Sequence, residues 1–283
     1  MRLKEAAERS AAILADAFGP GWKVPALFLQ TGTGFNVDNL FDDVIGTMDA
    51  DELPGMPSAS SPAGHAMQFV YGQTAKTRLL LCAGRRHFYE GHGTLPCVLP
   101  ACAAAAAGID RFALIGTAGG VRLELKPGSL LLLTDMVNNL GASPLQGECD
   151  FGARMFVDMR HAFSQELNGA FVNAAVEVGL QPSLGTYQAN PGPQFETPAE
   201  VEICRNNGVD AVGMSLALET VALRAFDAKV MAIALISNRA ANCYDRHIDH
   251  LDIEETCRQA SPGLVRALRQ YLRNHMVTDA ETW

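Results

Sequence analysis

Residues 229–237 read KVMAIALIS. Apolar side chains fill both parities of a two-residue period here, so neither face of the strand that this segment predicts is suited to water. Such a strand belongs inside a sheet covered by helices. Shorter segments of the same character predict further strands at Val24–Gln30, Met67–Tyr71, Arg78–Ala83, Phe112–Ile115, Leu130–Thr134 and Ala211–Met214. Helical patterns lie between many of them, at Leu95–Ala107, Phe163–Val178, Pro198–Asn207, Ala217–Phe226 and Ile253–His275. Strands alternating with helices predict an α/β fold: a central, mixed or largely parallel twisted sheet surrounded by α-helices, with ligands gathering at the carboxyl ends of the strands.

At 283 residues, with 48% hydrophobic and 19% charged residues, the chain suits one compact domain over 1–283 with a sizeable core. The formal net charge of −9 argues against a nucleic-acid partner, which would call for a basic face, but leaves room for a local anion pocket. Seven cysteines, an odd number without a C-x-x-C pair, suggest neither a disulfide framework nor a zinc site. The amino-terminal MRLKEAAERSAAILADAF mixes charges through its apolar positions, as an amphipathic surface helix does and a signal peptide does not. No apolar run approaches the ~20 residues that span a bilayer. The expectation is a cytoplasmic protein with no membrane partner, whose loosest stretch is a long loop over Asp51–Gly64.

Six polar or glycine-rich stretches fall at or near the ends of predicted elements. GTGFN (32–36) places the Thr33 hydroxyl between glycines, as in a nest for an anion, but Val37 stands where a dinucleotide fingerprint wants its third glycine; a ligand-free tight turn explains it equally well. GRRHFYEGH (84–92) sets Arg85 and His87 on one face of an extended segment, with Arg86 and Phe88 on the other, and Glu90 near enough to orient His87. A solvated charged turn is the plain alternative, and the density of Arg, His, Tyr and Glu between glycines favours a site. IGTAGGV (115–121) is by itself a small-residue turn after a strand. In DAVGMSLALET (210–220), Ser215 stands between strand and helix as a helix N-cap, where an anion would also profit from the helix dipole. In LISNRA (235–240), the Asn238 amide offers one donor and one acceptor, the pair needed to read the edge of a heterocycle; turn formation is its ordinary role. PGPQFETPAE (191–200) encloses a lone carboxylate, Glu196, among Gly, Pro and Phe, where it is either turned to water or kept for a polar ligand.

Taken in this order, the motifs resemble the trimeric purine nucleoside phosphorylase family, from about Val24 to Asn238 and most strongly in GRRHFYEG, PGPQFETPAE and VGMS. The resemblance implies a partly barrel-like, phosphorylase/hydrolase-like fold, a homotrimer, and phosphorolysis of a purine nucleoside to free base and ribose 1-phosphate, with orthophosphate as co-substrate and no metal or organic cofactor. By position it implies that Thr33, His65, Arg85, His87, Thr117 and Ser215 bind phosphate. Glu196 and Asn238 would read the base, Phe195 stack on it, Met214 lie beneath the sugar and Tyr89 meet the ribose, while Phe151 in DFGAR resembles the aromatic that caps a neighbouring subunit's site. His87, Glu196 and Asn238 are the implied catalytic residues.

The sequence departs from the family pattern in three places. Gly116 and Thr117 stand where the family has an asparagine and an alanine, Asn36 replaces a glycine, and the histidine aimed at the 5′-hydroxyl is displaced, with Ile253 before Glu254–Glu255 and His247 and His250 slightly earlier. Glu196 and Asn238 favour 6-oxopurines (inosine, guanosine, xanthosine) over adenosine, since 6-aminopurine presents an amino donor and an unprotonated N1. A 5′-methylthio-nucleoside phosphorylase, a nicotinamide-dependent oxidoreductase and a non-catalytic nucleoside-binding protein are the alternatives.

Overall fold

The computed structural model describes residues 1–32, 34–37, 39–57, 67–241 and 250–275. The chain opens with helix α1 (Leu3–Ala17), whose buried Leu3, Ala6, Ala7, Ser10 and Leu14 recur at helical spacing on one face. Strands β1 (Leu27–Thr31), β2 (Asp43–Asp49), β3 (Gln68–Thr74) and β4 (Thr77–Ala83) follow, then α2 (Leu95–Ala106), β5 (Arg111–Gly120) and β6 (Leu130–Asn138). Helix α3 (Gln165–Glu177), β7 (Ser183–Ala189), α4 (Pro198–Asn206), β8 (Ala211–Gly213), α5 (Ala217–Ala225), β9 (Lys229–Arg239) and α6 (His250–His275) complete the α/β domain.

The described strands form one mixed sheet of nine, in the order β2-β3-β4-β1-β5-β8-β7-β6-β9. Strand β5 also pairs in parallel with β9, which closes β5, β8, β7, β6 and β9 into a five-stranded barrel. Its remaining pairings are mixed in sense: β6 runs parallel to β7 and β7 to β8, while β5–β8 and β6–β9 are antiparallel. One apolar cluster joins a sheet face to α1, α2 and α5, and a second joins the other face to α3 and α6. Strand β9 contributes to both, Val230, Ala232, Ala234 and Ile236 to the first and Met231, Ile233 and Leu235 to the second, which is the two-sided burial its sequence predicts.

Seven of the strands coincide with predicted ones, and β2 and β7 are additions. Strand β2 is a largely exposed sheet edge, and in β7 only Tyr187 and Ala189 are buried, so neither carries the apolar run that marks a strand. The segment GTAGG (116–120), expected as a turn, is the second half of β5: backbone pairing with β9 out to Gly120–Arg239 overrides the weak strand propensity of its small residues. Ser58–Gly64 of the expected loop lies outside the described residues.

Phe171, fully buried on α3, packs against Tyr271 of α6 at a ring separation of 6.3 Å. Phe171→Ala is expected to lower unfolding free energy by about 3–5 kcal/mol. Urea denaturation followed by circular dichroism measures it, and a midpoint equal to the wild type would show that the α3–α6 layer contributes little.

Candidate active site

A cleft of about 260 Å³ opens at the carboxyl ends of β5 and β9. Its lining combines Arg85, His87 and Tyr89 from the segment after β4 with Thr117 of β5, Met214 and Ser215 after β8, and Asn238 of β9. Phe195 and Glu196 come from the β7–α4 connection, and Ile253 and Glu254 from α6. All the predicted site residues that the structure describes, except Phe151, therefore meet in one cavity. Thr33, His65 and His247 lie outside the described residues.

Arg85 forms the floor. Its guanidinium and the carboxylate of Glu219, on α5, are 1% and 2% exposed and bond Nε to Oε1 at 2.7 Å; Nη1 donates to the Ile115 carbonyl at 2.7 Å. Nη2 is buried and has no hydrogen-bond partner among the described residues. A buried guanidinium donor without an acceptor is costly and fits an oxyanion ligand. Nothing in the sequence marked Glu219, which lies in an apolar helix far from GRRHFYEGH; only the fold brings the two together.

The residues after Arg85 alternate as their spacing predicts. Arg86 turns away from the cleft to Asp51, at 2.8 Å, and Phe88 packs on the core, whereas His87 and Tyr89 face the cleft with rings stacked at 4.8 Å. Glu90 holds the start of this turn: Oε1 accepts from the His87 backbone N–H at 2.6 Å and lies 3.5 Å from His87 Nδ1. Burial alone would raise the Glu90 carboxyl; the hydrogen bonds from the His87 side chain and backbone, with the charges of His87 and Arg86, outweigh it and hold the group below its ordinary 4.5.

Ser215 is placed otherwise than expected. Helix α5 starts at Ala217 and its N-cap position is Leu216, at φ 69° and ψ −38°, so Ser215 is not the cap. Ala217 N–H donates to the Ser215 carbonyl at 2.8 Å, closing a γ-turn around Leu216, a conformation rare and strained for a branched residue. The turn leaves the Ser215 hydroxyl at the cleft, beside the amino end of α5. Tyr187 steadies the turn from below by accepting the Ser215 N–H at 3.2 Å, and burial pushes its own phenol up to about 12. Gly116 is needed here for space, since a Cβ at that position would come within 2.9 Å of Ser215 Oγ.

A bulge aims Asn238. The β5–β9 register runs Ala118–Ile236 and then Gly119–Asn238, so Ser237 is the extra residue and the alternation of β9 is reset at the cleft. Ser237 Oγ–H donates to Asn238 Oδ1 at 2.8 Å and Asn238 Nδ2 donates to the Arg239 carbonyl at 3.0 Å. One Nδ2 hydrogen and one Oδ1 lone pair are then what the amide can offer a ligand. Glu196 directly precedes α4, whose capping box (Thr197 N–H to Glu200 Oε2, 2.7 Å; Glu200 N–H to Thr197 Oγ1, 3.3 Å) and Pro198 fix where the helix begins. Gly192, at φ 67°, turns the chain against Met214, whose side chain occupies the place a Cβ would take.

Phe151 does not line the cleft. Its ring is 8% exposed and packs edge-on to Phe226 at 5.1 Å, so the expected capping ring is part of this chain's own core; the aromatic that this segment exposes is Phe156, at 83%. Ile253 and Glu254 of α6 form a further wall of the cleft, while Glu255 turns outward to Arg258 at 2.6 Å. No cluster of metal-ligating side chains occurs among the described residues, and no described helix is long and apolar enough to cross a membrane.

Residues 28–273 match the phosphorylase superfamily. The chain is 33% identical over 273 residues to purine nucleoside phosphorylase 1 of Geobacillus stearothermophilus (96% of this chain, 98% of that one). It is 36% identical over 249 residues to the purine nucleoside phosphorylase of Mycobacterium tuberculosis (88% of each). This chain belongs to the purine nucleoside phosphorylase family. Its fold is shared with the Schistosoma mansoni purine nucleoside phosphorylase solved with inosine, at 25% identity and a TM-score of 0.85 over 95% of this chain and 96% of that one. As a member of the family it is a pentosyltransferase.

Two outcomes follow from the floor of the cleft. Glu219→Ala is expected to destabilise the fold by about 3–5 kcal/mol, because it strands a buried guanidinium, and Glu219→Gln by clearly less, because an acceptor remains; a urea midpoint for Glu219→Ala equal to the wild type would remove the pair from the fold's energetics. A folded-state value below 4.5 means that ionised Glu90 stabilises the fold above that pH and that this contribution is lost as pH falls through the depressed value. The stability difference between wild type and Glu90→Gln should thus shrink from pH 7 to below pH 4.5, and a difference independent of pH would contradict the assignment.

Proposed function

We propose that this enzyme catalyses the reversible phosphorolysis of 6-oxopurine ribo- or deoxyribonucleosides, namely inosine, guanosine and xanthosine, to the free base and the pentose 1-phosphate. The observation that carries the reading is that Arg85, whose Nη2 has no hydrogen-bond partner among the described residues, and the Glu196–Asn238 pair share one cleft of about 260 Å³. An anion floor and a reader of a lactam edge in one space are what a nucleoside and a phosphate together require.

The residues take roles that follow from their chemistry. Arg85, His87 and the Ser215 hydroxyl at the amino end of α5 hold orthophosphate with an oxygen toward C1′. As the C1′–N9 bond lengthens, its electron pair moves onto the purine, the ribose becomes oxocarbenium-like, and a phosphate oxygen forms the new bond to C1′. Asn238 Nδ2 donates to the developing charge at N7, and Glu196 accepts N1–H, so the lactam tautomer is held as charge builds on the ring. The Asn238 contact, and the phosphate beneath the cationic ribose, strengthen in the transition state and so raise rate more than binding. Phe195 supplies a face for the base, Tyr89 for the ribose, and Met214 lies beneath the sugar.

A 5′-methylthio nucleoside is the second reading. Ile253 on the α6 wall suits a thioether, but Glu254 beside it suits a hydroxyl, and the Glu196–Asn238 pair suits a 6-oxo base.

Incubation with inosine, guanosine, xanthosine, adenosine and 5′-methylthioinosine, with and without phosphate, tests the reading. Phosphate-dependent release of hypoxanthine is expected, with adenosine far slower; release without phosphate would identify a hydrolase instead. Glu196→Ala should lower kcat/KM for inosine by a factor on the order of 10²–10³ with the fold intact, and an unchanged value would remove Glu196 from the reaction.

A further inference from the structure

Behind Glu196 stands a cluster of three amides to which no role has yet been given. Asn190, the residue after β7, is 9% exposed, and its backbone N–H is pinned to the Gly213 carbonyl at 2.7 Å. Its side-chain Oδ1 accepts from Asn139 Nδ2 at 3.0 Å and from Gln188 Nε2 at 2.9 Å. Two donors fill the two lone pairs of that oxygen, so the amide cannot flip without setting N–H against N–H. Nδ2 is therefore forced outward, and it donates to Glu196 Oε1 at 2.7 Å. Asn139 is anchored in turn by its backbone N–H, which donates to the Ala189 carbonyl at 2.9 Å. A second cavity of about 180 Å³ runs along this cluster and shares Phe195 and Glu196 with the cleft, so Glu196 is the partition between the base side and the amides.

We propose that Asn190 is a positioning and specificity-determining residue that makes Glu196 a single-acceptor reader of the purine edge. The inference rests on the phosphorolysis reading, in which Glu196 meets N1–H. A carboxylate with both oxygens free accepts from N1–H and from a 2-amino group side by side. Here one oxygen already accepts from a fixed protein donor, which takes one of its two lone pairs and weakens it as an acceptor, so the other oxygen is the better matched to the base. Hypoxanthine presents one donor on that edge. Guanine presents a second, its 2-amino group, which meets an oxygen already bonded and the Asn190 donor behind it. A 2-oxo group, as in xanthine, is an acceptor and would set its lone pairs against the carboxylate oxygen, so it gains no contact there. The enzyme thus favours inosine over guanosine and xanthosine. It is held to that choice by an amide whose orientation Asn139 and Gln188 dictate.

The test measures kcat and KM for inosine, xanthosine and guanosine at saturating phosphate, for wild type, Asn190→Ala and Asn139→Ser. Wild type is expected to turn over inosine about tenfold or more better than guanosine in kcat/KM. In Asn190→Ala, kcat for inosine falls about tenfold and the inosine-to-guanosine ratio shifts several-fold toward guanosine, because the tied oxygen is released. Asn139→Ser, which removes one of the two donors that fix Asn190, shifts the ratio in the same direction by less and covers the case in which Asn190→Ala does not fold. A loss of activity that is equal for the three nucleosides, with the ratio unchanged in both variants, would mean a merely structural amide cluster and overturn the inference while leaving phosphorolysis standing. A wild type that prefers guanosine overturns it too. Wild type that releases no base from any nucleoside with phosphate removes the phosphorolysis reading itself, and the inference falls with it.

Discussion

The buried Arg85–Glu219 ion pair is the constraint around which the site is arranged. Taking two charges out of water costs several kcal/mol per ion, and the loss is recovered only when geometry and further hydrogen bonds are good. Here Glu219 takes Nε and the Ile115 carbonyl takes Nη1, so three separate parts of the chain, the segment after β4, the strand β5 and the helix α5, must meet at fixed distances. Much else serves that meeting. Gly116 gives the Ser215 side chain room beside β5, and α5 is brought close enough for Glu219 to reach the guanidinium. One donor, Nη2, is left without a partner among the described residues, on a residue that lines the cleft.

Three irregularities then convert a regular sheet into a site. The bulge at Ser237 resets the alternation of β9, the γ-turn at Leu216 lets the chain enter α5 without using Ser215 as a cap, and the positive φ of Gly192 folds the β7–α4 connection over Met214. Each is a departure from ideal geometry at the carboxyl end of a strand, and each re-aims one side chain toward the same space. Apart from Thr117, the regular parts of β5 and β9 carry none of the implied site residues; their packing from both sides supplies the rigidity against which such local strain is held.

The sequence made most of this legible, and the misses share a cause. Apolar runs located seven strands, because burial on both faces leaves a composition signal, and the alternation Arg85–Arg86–His87–Phe88 predicted correctly which side chains turn inward. What pairing alone decides stayed hidden: β2 at an exposed edge, β7 with its polar residues, and the glycine-rich half of β5, which is a strand only because β9 lies beside it. Of the site, Glu196, Asn238 and Arg85 stood out by position, whereas Glu219 and Asn190 did not. A glutamate in a helix and an asparagine before a proline look ordinary until the fold sets one on a guanidinium and the other on a carboxylate. Phe151 came from the resemblance alone, as a cap on a neighbouring subunit, and in this chain its ring is buried against Phe226.

The balance of charge in the cleft bears on how the proposed reaction gains rate. Glu219 already compensates Arg85, so a phosphate dianion entering this space meets directed donors more than net positive charge. Glu196 adds a further carboxylate to the cleft, and Glu254 another. In the ground state the nucleoside is neutral and does little to offset that negative excess. In the transition state the ribose becomes cationic above the phosphate while an equal negative charge moves onto the purine, where Asn238 donates to it. A site that held phosphate with uncompensated cations would bind it more tightly and gain less from the oxocarbenium ion. Pairing Arg85 internally therefore moves stabilisation from the bound phosphate to the breaking glycosidic bond, which places the buried ion pair in the catalytic energetics as well as in the fold.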